Sequence, residues 1–133
     1  MRKLDETMFV AGQIAPADMA VLAATGIRLI INNRPDGEEP GQPAAEEIGA
    51  AARAEGIAVA EVPVAQLTGE AIEQMAAALR SADGPVLAFC RSGTRSTYLW
   101  ALARNRMGEE AGSLAEKAAA AGYDLGPIMR FMR

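Results

Sequence analysis

Pro85 to Arg106 reads P-V-L-A-F-C-R-S-G-T-R-S-T-Y-L-W-A-L-A-R-N-R, and this stretch decides the fold. The apolar run Val86 to Phe89 has the length and composition of a buried strand, and it delivers Cys90 to a short polar turn closed by Arg95. From Ser96 a helix pattern begins, apolar at every position from Tyr98 to Ala103, as expected of a central helix covered on most sides. A turn between a strand and a helix N-terminus aims several backbone N–H groups at one point, where the helix dipole adds partial positive charge. Gly93 lets that turn curl tightly, Arg91 and Arg95 add fixed charge, and Ser92, Thr94 and Ser96 offer hydroxyl donors. Such a cradle stabilises an anion, and it lowers the pKa of a cysteine at its base. Cys90 is therefore the candidate nucleophile, Arg95 its anion clamp, and Arg91, Ser92, Gly93, Thr94 and Ser96 the anion-binding set.

Working outward, one unit occurs three times: a helix pattern, a glycine stop, then a β-rich run. Gly26 precedes Ile27 to Ile31, Gly56 precedes Ile57 to Val62, and Gly84 precedes Pro85 to Phe89. Helix patterns alternating with near-continuous apolar strands predict an α/β fold with a mainly parallel sheet covered on both faces. Met8 to Ala11 reads as a first, edge strand, and Pro16 opens a helix pattern running to Ala24. Ala44 to Glu55 and Glu70 to Arg80 are amphipathic helices, the second with Thr68 as N-cap. Ser113 to Ala121 is a further helix, and Leu125 to Met132 adds a last turn.

In such sheets the carboxyl ends of the strands share one edge, and ligands bind there. The connection Asn32 to Pro43, N-N-R-P-D-G-E-E-P-G-Q-P, leaves from the same edge as Cys90. Arg34 and Asp36 are accordingly candidate site residues, whereas Glu38 and Glu39 read as solvent-exposed charge.

Composition narrows the chemistry. The 133 residues, half of them hydrophobic, suit one domain spanning 1–133. A net charge of −4 and the lack of a basic stripe argue against nucleic acid as a partner. With no histidine there is no Cys-His or Ser-His dyad and no histidine-based zinc site, so the nucleophile must be activated by electrostatics. The single cysteine removes intrachain disulfides and resolving-thiol chemistry, and it suits a reducing compartment. Met1 to Met8 lacks the apolar core of a secretory signal, and no window approaches the roughly 20 apolar residues of a membrane span. The expected location is cytoplasmic, with no membrane association. No dinucleotide or phosphate-loop motif appears, so no cofactor and no metal are expected.

Cys90-Arg91-Ser92-Gly93-Thr94-Arg95 resembles the rhodanese active loop, Cys-Arg-x-Gly-x-Arg, in which the cysteine carries a persulfide. It also resembles the tyrosine phosphatase loop, His-Cys-x5-Arg, except that Phe89 stands in place of histidine and the Cys-to-Arg spacing is one residue short. Together with Ile31 to Pro43 and the Pro63-Val64 pair, the chain is similar to the phosphatase-like domain of the beta-lactamase hydrolase-like proteins, often labelled sulfur transferases. The resemblance implies a tyrosine-phosphatase-like three-layer sandwich, with a mainly parallel sheet of four to five strands flanked by helices.

That family leaves the reaction divided. A phosphatase needs an acid to protonate its leaving group. The related enzymes carry an Asp some 30 residues before the cysteine, but Ala58 to Thr68 holds only Glu61, which leaves Asp36 as the candidate acid. Sulfur transfer needs only a thiolate, a cradle and an arginine, and a shorter loop suits a sulfur atom. The expectation is therefore a sulfurtransferase carrying a persulfide on Cys90, ahead of a phosphatase acting through a cysteinyl-phosphate and of a non-catalytic anion or persulfide binder. The expected ligand is a small sulfur- or phosphate-containing anion. The resemblance also implies a separately encoded metallo-beta-lactamase-fold partner.

Overall fold

A computed structural model describes all 133 residues. Five strands form one sheet: β1 (Arg2–Lys3), β2 (Met8–Ala11), β3 (Leu29–Asn32), β4 (Ala58–Glu61) and β5 (Val86–Phe89), in the order β1-β2-β5-β3-β4. β2, β5, β3 and β4 run parallel, and only β1 is antiparallel. The expected edge position of Met8–Ala11 is corrected here. β1 pairs outside it, Arg2 opposite Val10 and Lys3 opposite Phe9, so β2 is an interior strand. Two charged residues carry no hydrophobic period, so nothing in their pattern marks them as a strand.

The helices are α1 (Met19–Ala24), entered through a 3₁₀ turn at Pro16–Asp18, α2 (Ala45–Ala54), α3 (Gly69–Ser81), α4 (Thr94–Arg106) and α5 (Ala111–Ala120), with a closing 3₁₀ segment at Gly126–Phe131. Strand side chains alternate between two cores. Leu29, Ile31, Val86 and Ala88 face α3, α4 and α5, while Ile30, Leu87 and Phe89 face α1 and α2. The result is the three-layer α/β sandwich expected, with five strands. α4 is the covered helix foreseen from Tyr98 to Ala103: Leu99, Trp100, Ala101 and Ala103 are fully buried. Thr68 caps α3, its hydroxyl accepting the Ala71 N–H at 3.1 Å.

α2 begins at Ala45 with no capping side chain next to it in sequence. Asp36 supplies one from across the loop, Oδ1 accepting the Ala45 N–H at 2.8 Å. Beyond β3 and β4 the pairing continues, Val62 N–H to Asn32 O at 2.9 Å and Val64 N–H to Asn33 O at 3.0 Å. The loop after β4 is thereby held against the loop after β3. No helix is long and apolar enough to cross a membrane.

Candidate active site

Because the four parallel strands end on one edge, the loops after β2, β3, β4 and β5 converge there. Cys90 sits immediately after β5, fully buried, with its N–H directed to Ala11 O at 3.3 Å. The chain then turns through Gly93, whose φ of 89° is a left-handed conformation that side chains disfavour, and enters α4. That turn aims backbone N–H groups at the sulfur, and the Gly93 N–H donates to Sγ at 3.1 Å. Burial pushes the thiol pKa up, but the N–H groups of Ser96, Ser92 and Gly93, with the Ser96 hydroxyl nearby, outweigh it, and the pKa is lowered. The Ser96 hydroxyl has one proton and lies 2.8 Å from Asn33 Oδ1, so the backbone groups are the steady donors to sulfur.

Asn33 is itself buried and fixed by its amide, which donates to Val62 O at 3.0 Å. It ties the ends of β3 and β4 to the start of α4. The other hydroxyls look inward or to each other: Thr97 donates to Gly93 O at 2.8 Å, and Ser92 to Thr94 Oγ1 at 3.2 Å. Gly12, after β2, passes so close to the cysteine loop that a Cβ there would meet Arg91 O at 2.9 Å.

The arginines do not stand free. Arg95 makes a two-pronged contact with the carboxylate of Glu38, at 2.7 and 2.8 Å, and donates to Val64 O at 2.9 Å. Arg34, only 4% exposed, donates to Glu38 at 2.9 Å, to Gln13 Oε1 at 2.9 Å and to Glu39 at 2.7 Å. Arg91 is exposed and pairs with Glu39 at 2.8 Å. Glu39 is exposed as expected, its side chain 44% accessible, but both carboxylates are paired rather than free, and for Glu38 the reading as solvated charge is corrected. The Glu38 side chain is only 26% exposed and bridges Arg34 to Arg95, which hold its pKa down to about 2. Two carboxylates thus interleave with three guanidinium groups directly over the cysteine loop.

Sequence reasoning brought together Cys90, Arg91, Ser92, Gly93, Thr94, Arg95 and Ser96 on one turn, and Arg34 reaches the same cluster through Glu38. Asp36 lies beside it, lining a polar recess of about 180 Å³ with Asn32, Arg34 and Glu61 while capping α2. Gln13, Asn33, Glu38 and Glu39 were missed as site residues. The loop that carries Asn33, Glu38 and Glu39 was noticed, but the contacts that bring Gln13 to Arg34, Glu38 to Arg95 and Asn33 to Ser96 span 21, 57 and 63 positions in sequence.

Comparisons with known proteins agree with this geometry. Residues 1–108 match the family described as beta-lactamase hydrolase-like protein, phosphatase-like domain. The chain is 40% identical over 102 residues to a beta-lactamase hydrolase-like protein of Agrobacterium fabrum, covering 75% of this chain and 24% of that one. A protein of the same description from Xylella fastidiosa is 36% identical over 133 residues, covering 98% and 31%. The chain therefore spans about a quarter to a third of the length of these relatives. Among solved structures, a "putative phosphatase" of Neisseria meningitidis superposes with a TM-score of 0.84 at 33% identity, covering 98% of this chain and 94% of that one. Tk-PTP superposes at 0.71 with 16% identity, covering 98% and 90%, a likeness of fold alone.

Proposed function

The chain belongs to the phosphatase-like domain family of the beta-lactamase hydrolase-like proteins, and on that premise we propose that it is a cysteine-dependent phosphoester hydrolase. The observation that carries the reading is the buried Cys90 sulfur at the focus of α4's first N–H groups, its pKa lowered, with Arg95 beside it. Cys90 thiolate attacks phosphorus, the P–O bond to the leaving group breaks, and a cysteinyl-phosphate forms. Water then cleaves the P–S bond, releasing phosphate and returning the thiolate. The loop N–H groups and the Arg95 guanidinium stabilise the charge that develops on the non-bridging oxygens. Arg91, Ser92, Gly93, Thr94 and Ser96 complete the loop, and Arg34 sets the charge balance behind it.

The leaving oxygen takes up a proton. Glu38 is committed to Arg95 and Arg34, which hold its pKa down to about 2, and the candidate donor is Asp36 in its protonated form, released from its bond with the Ala45 N–H. Asp36→Asn then slows hydrolysis most for esters with poor leaving groups, and an unchanged leaving-group dependence removes Asp36 from the mechanism. The direct test of the reading is p-nitrophenyl phosphate hydrolysis with acid trapping of the phosphoenzyme, where Cys90→Ser abolishes both. Turnover that survives this substitution overturns it.

A second reading, a persulfide carried on Cys90, is favoured by one feature: the carboxylates bonded over the loop are tied to arginines, and sulfur transfer requires no proton donor. It predicts a gain of one sulfur atom by intact-mass measurement after thiosulfate, absent in Cys90→Ser. The family match favours the phosphatase. The lone thiol supports a cytoplasmic location, and the chain's spanning only about a quarter to a third of its relatives' length supports a separately encoded partner of metallo-beta-lactamase fold, testable by co-purification.

A further inference from the structure

Tyr123 follows α5, outside the residues that match the family, yet its side chain reaches the cysteine loop. Its hydroxyl donates to Ser92 O at 3.3 Å. That carbonyl belongs to the same peptide unit as the Gly93 N–H, which donates to Cys90 Sγ at 3.1 Å. In a planar trans peptide the C=O and N–H point in opposite directions, so gripping the oxygen fixes where the hydrogen points. The three groups form one chain, Tyr123 O–H to O=C–N–H to sulfur, in which each bond polarises the next.

The tyrosine is held for this task from several sides. Its N–H donates to Ala118 O at 2.8 Å, and the Arg2 guanidinium lies over its ring, 5.5 Å from the centroid. Arg2 in turn donates to Ala121 O at 2.7 Å, so β1 clasps the segment that carries the ring. On the loop side, a Cβ at residue 93 would overlap the Tyr123 hydroxyl, so the glycine there serves the close approach as well as the positive φ.

We propose that Tyr123 is a positioning residue for the nucleophile, holding the Ser92–Gly93 peptide so that its N–H stabilises the Cys90 thiolate. The proposal rests on the reading of Cys90 as the nucleophile, whichever group it then transfers. The charged and titratable groups that bear on this sulfur are Arg95 on α4 with Glu38 behind it, and Tyr123 itself with Arg2 over its ring.

The test is the pH dependence of Cys90 alkylation by iodoacetamide, in which the thiolate displaces iodide. Tyr123→Phe keeps the ring under Arg2 and removes only the hydroxyl. It raises the midpoint by on the order of 0.3 pH units and slows alkylation about twofold below the midpoint. 3-Fluorotyrosine placed at position 123, a stronger donor while its phenol is protonated, moves the midpoint the other way over the pH range in which that phenol keeps its proton. A purely packing role moves neither. An unchanged midpoint in Tyr123→Phe overturns the proposal, and so does a fluorotyrosine shift in the same direction as the phenylalanine one. The fluorotyrosine protein also decides the matter if the phenylalanine variant does not fold. Alkylation needs no substrate, so p-nitrophenyl phosphate turnover in the same preparations tests the phosphatase reading separately.

Discussion

The turn from Cys90 to Gly93 gathers backbone N–H groups around a buried sulfur, whereas the connection from Asn33 to Pro43 meets it with side-chain charges, Glu38 and Glu39 locked to Arg34, Arg91 and Arg95. The first device is fixed by backbone geometry and keeps its polarity at any pH. The second depends on long, titratable side chains whose pairing is set by what lies opposite. A site built from both has an invariant cradle and an adjustable clamp, and the variants below act on one or the other.

The largest effect is expected from Arg95, where the two devices touch. Arg95→Ala should cost roughly 10²- to 10³-fold in turnover, the usual effect of losing one charge-stabilising donor. It should also remove the rise in Tm that sulfate or phosphate gives the parent protein. Retention of that rise would mean the backbone cradle binds the anion alone.

Next comes Gly93→Ala, which attacks the cradle itself. A side chain at φ 89° is strained and overlaps the Tyr123 hydroxyl, so a loss of about 1–3 kcal/mol in a denaturant melt is expected. Unchanged stability would show that the turn tolerates another conformation.

Glu38→Gln tests the clamp. Its carboxylate orients Arg95, so kcat/KM should fall about tenfold, the scale of one charge-assisted hydrogen bond. A rise instead would mean that Glu38 competes with the substrate anion for Arg95. Stability follows the same pair. Because the folded-state pKa is depressed, from 4.5 to about 2, Glu38 contributes stability that is fully present above about pH 4.5 and lost as pH falls toward 2. Melting temperatures measured across that window should decline less steeply in Glu38→Gln than in the parent.

The smallest effect belongs to Glu39→Gln. Its side chain is 44% exposed and one of its two partners, Arg91, is 67% exposed, so the change in stability should stay within about 0.5 kcal/mol. A larger loss in thermal melts would show that burying Arg34 depends on both carboxylates.

The contrast between the two loops also separates what could be read in advance from what could not. The cysteine turn was legible because each of its elements is local: a four-residue apolar strand, a glycine where φ must be positive, and a helix beginning within a few residues. Asn32 to Pro43 was recognised as a loop on the ligand-binding edge, with Arg34 and Asp36 as candidate site residues, but Glu38 and Glu39 were assigned to solvent. Glu38 finds Arg95 57 positions away, and no spacing rule reaches that far. Asp36 illustrates the same limit. Its residue type suits a proton donor and a helix cap equally, and only the approach of Ala45 shows the capping role. Tyr123 carried no signal at all, since a lone tyrosine after an alanine-rich helix is ordinary until the loop it touches is known.

What the sequence by itself determined is the alternation of helix, glycine stop and apolar strand, hence a parallel sheet covered on both faces, and the anion cradle with Cys90 at its base. These follow from backbone sterics, hydrogen-bond ladders and hydrophobic period, which act over a few residues. Only the tertiary structure decided that β1 closes the sheet outside β2, that two glutamates neutralise the arginines, and that Gln13, Asn33 and Tyr123 brace the site. Those outcomes depend on which side chains packing brings within about 3 Å of each other, and that distance is set by the whole chain at once.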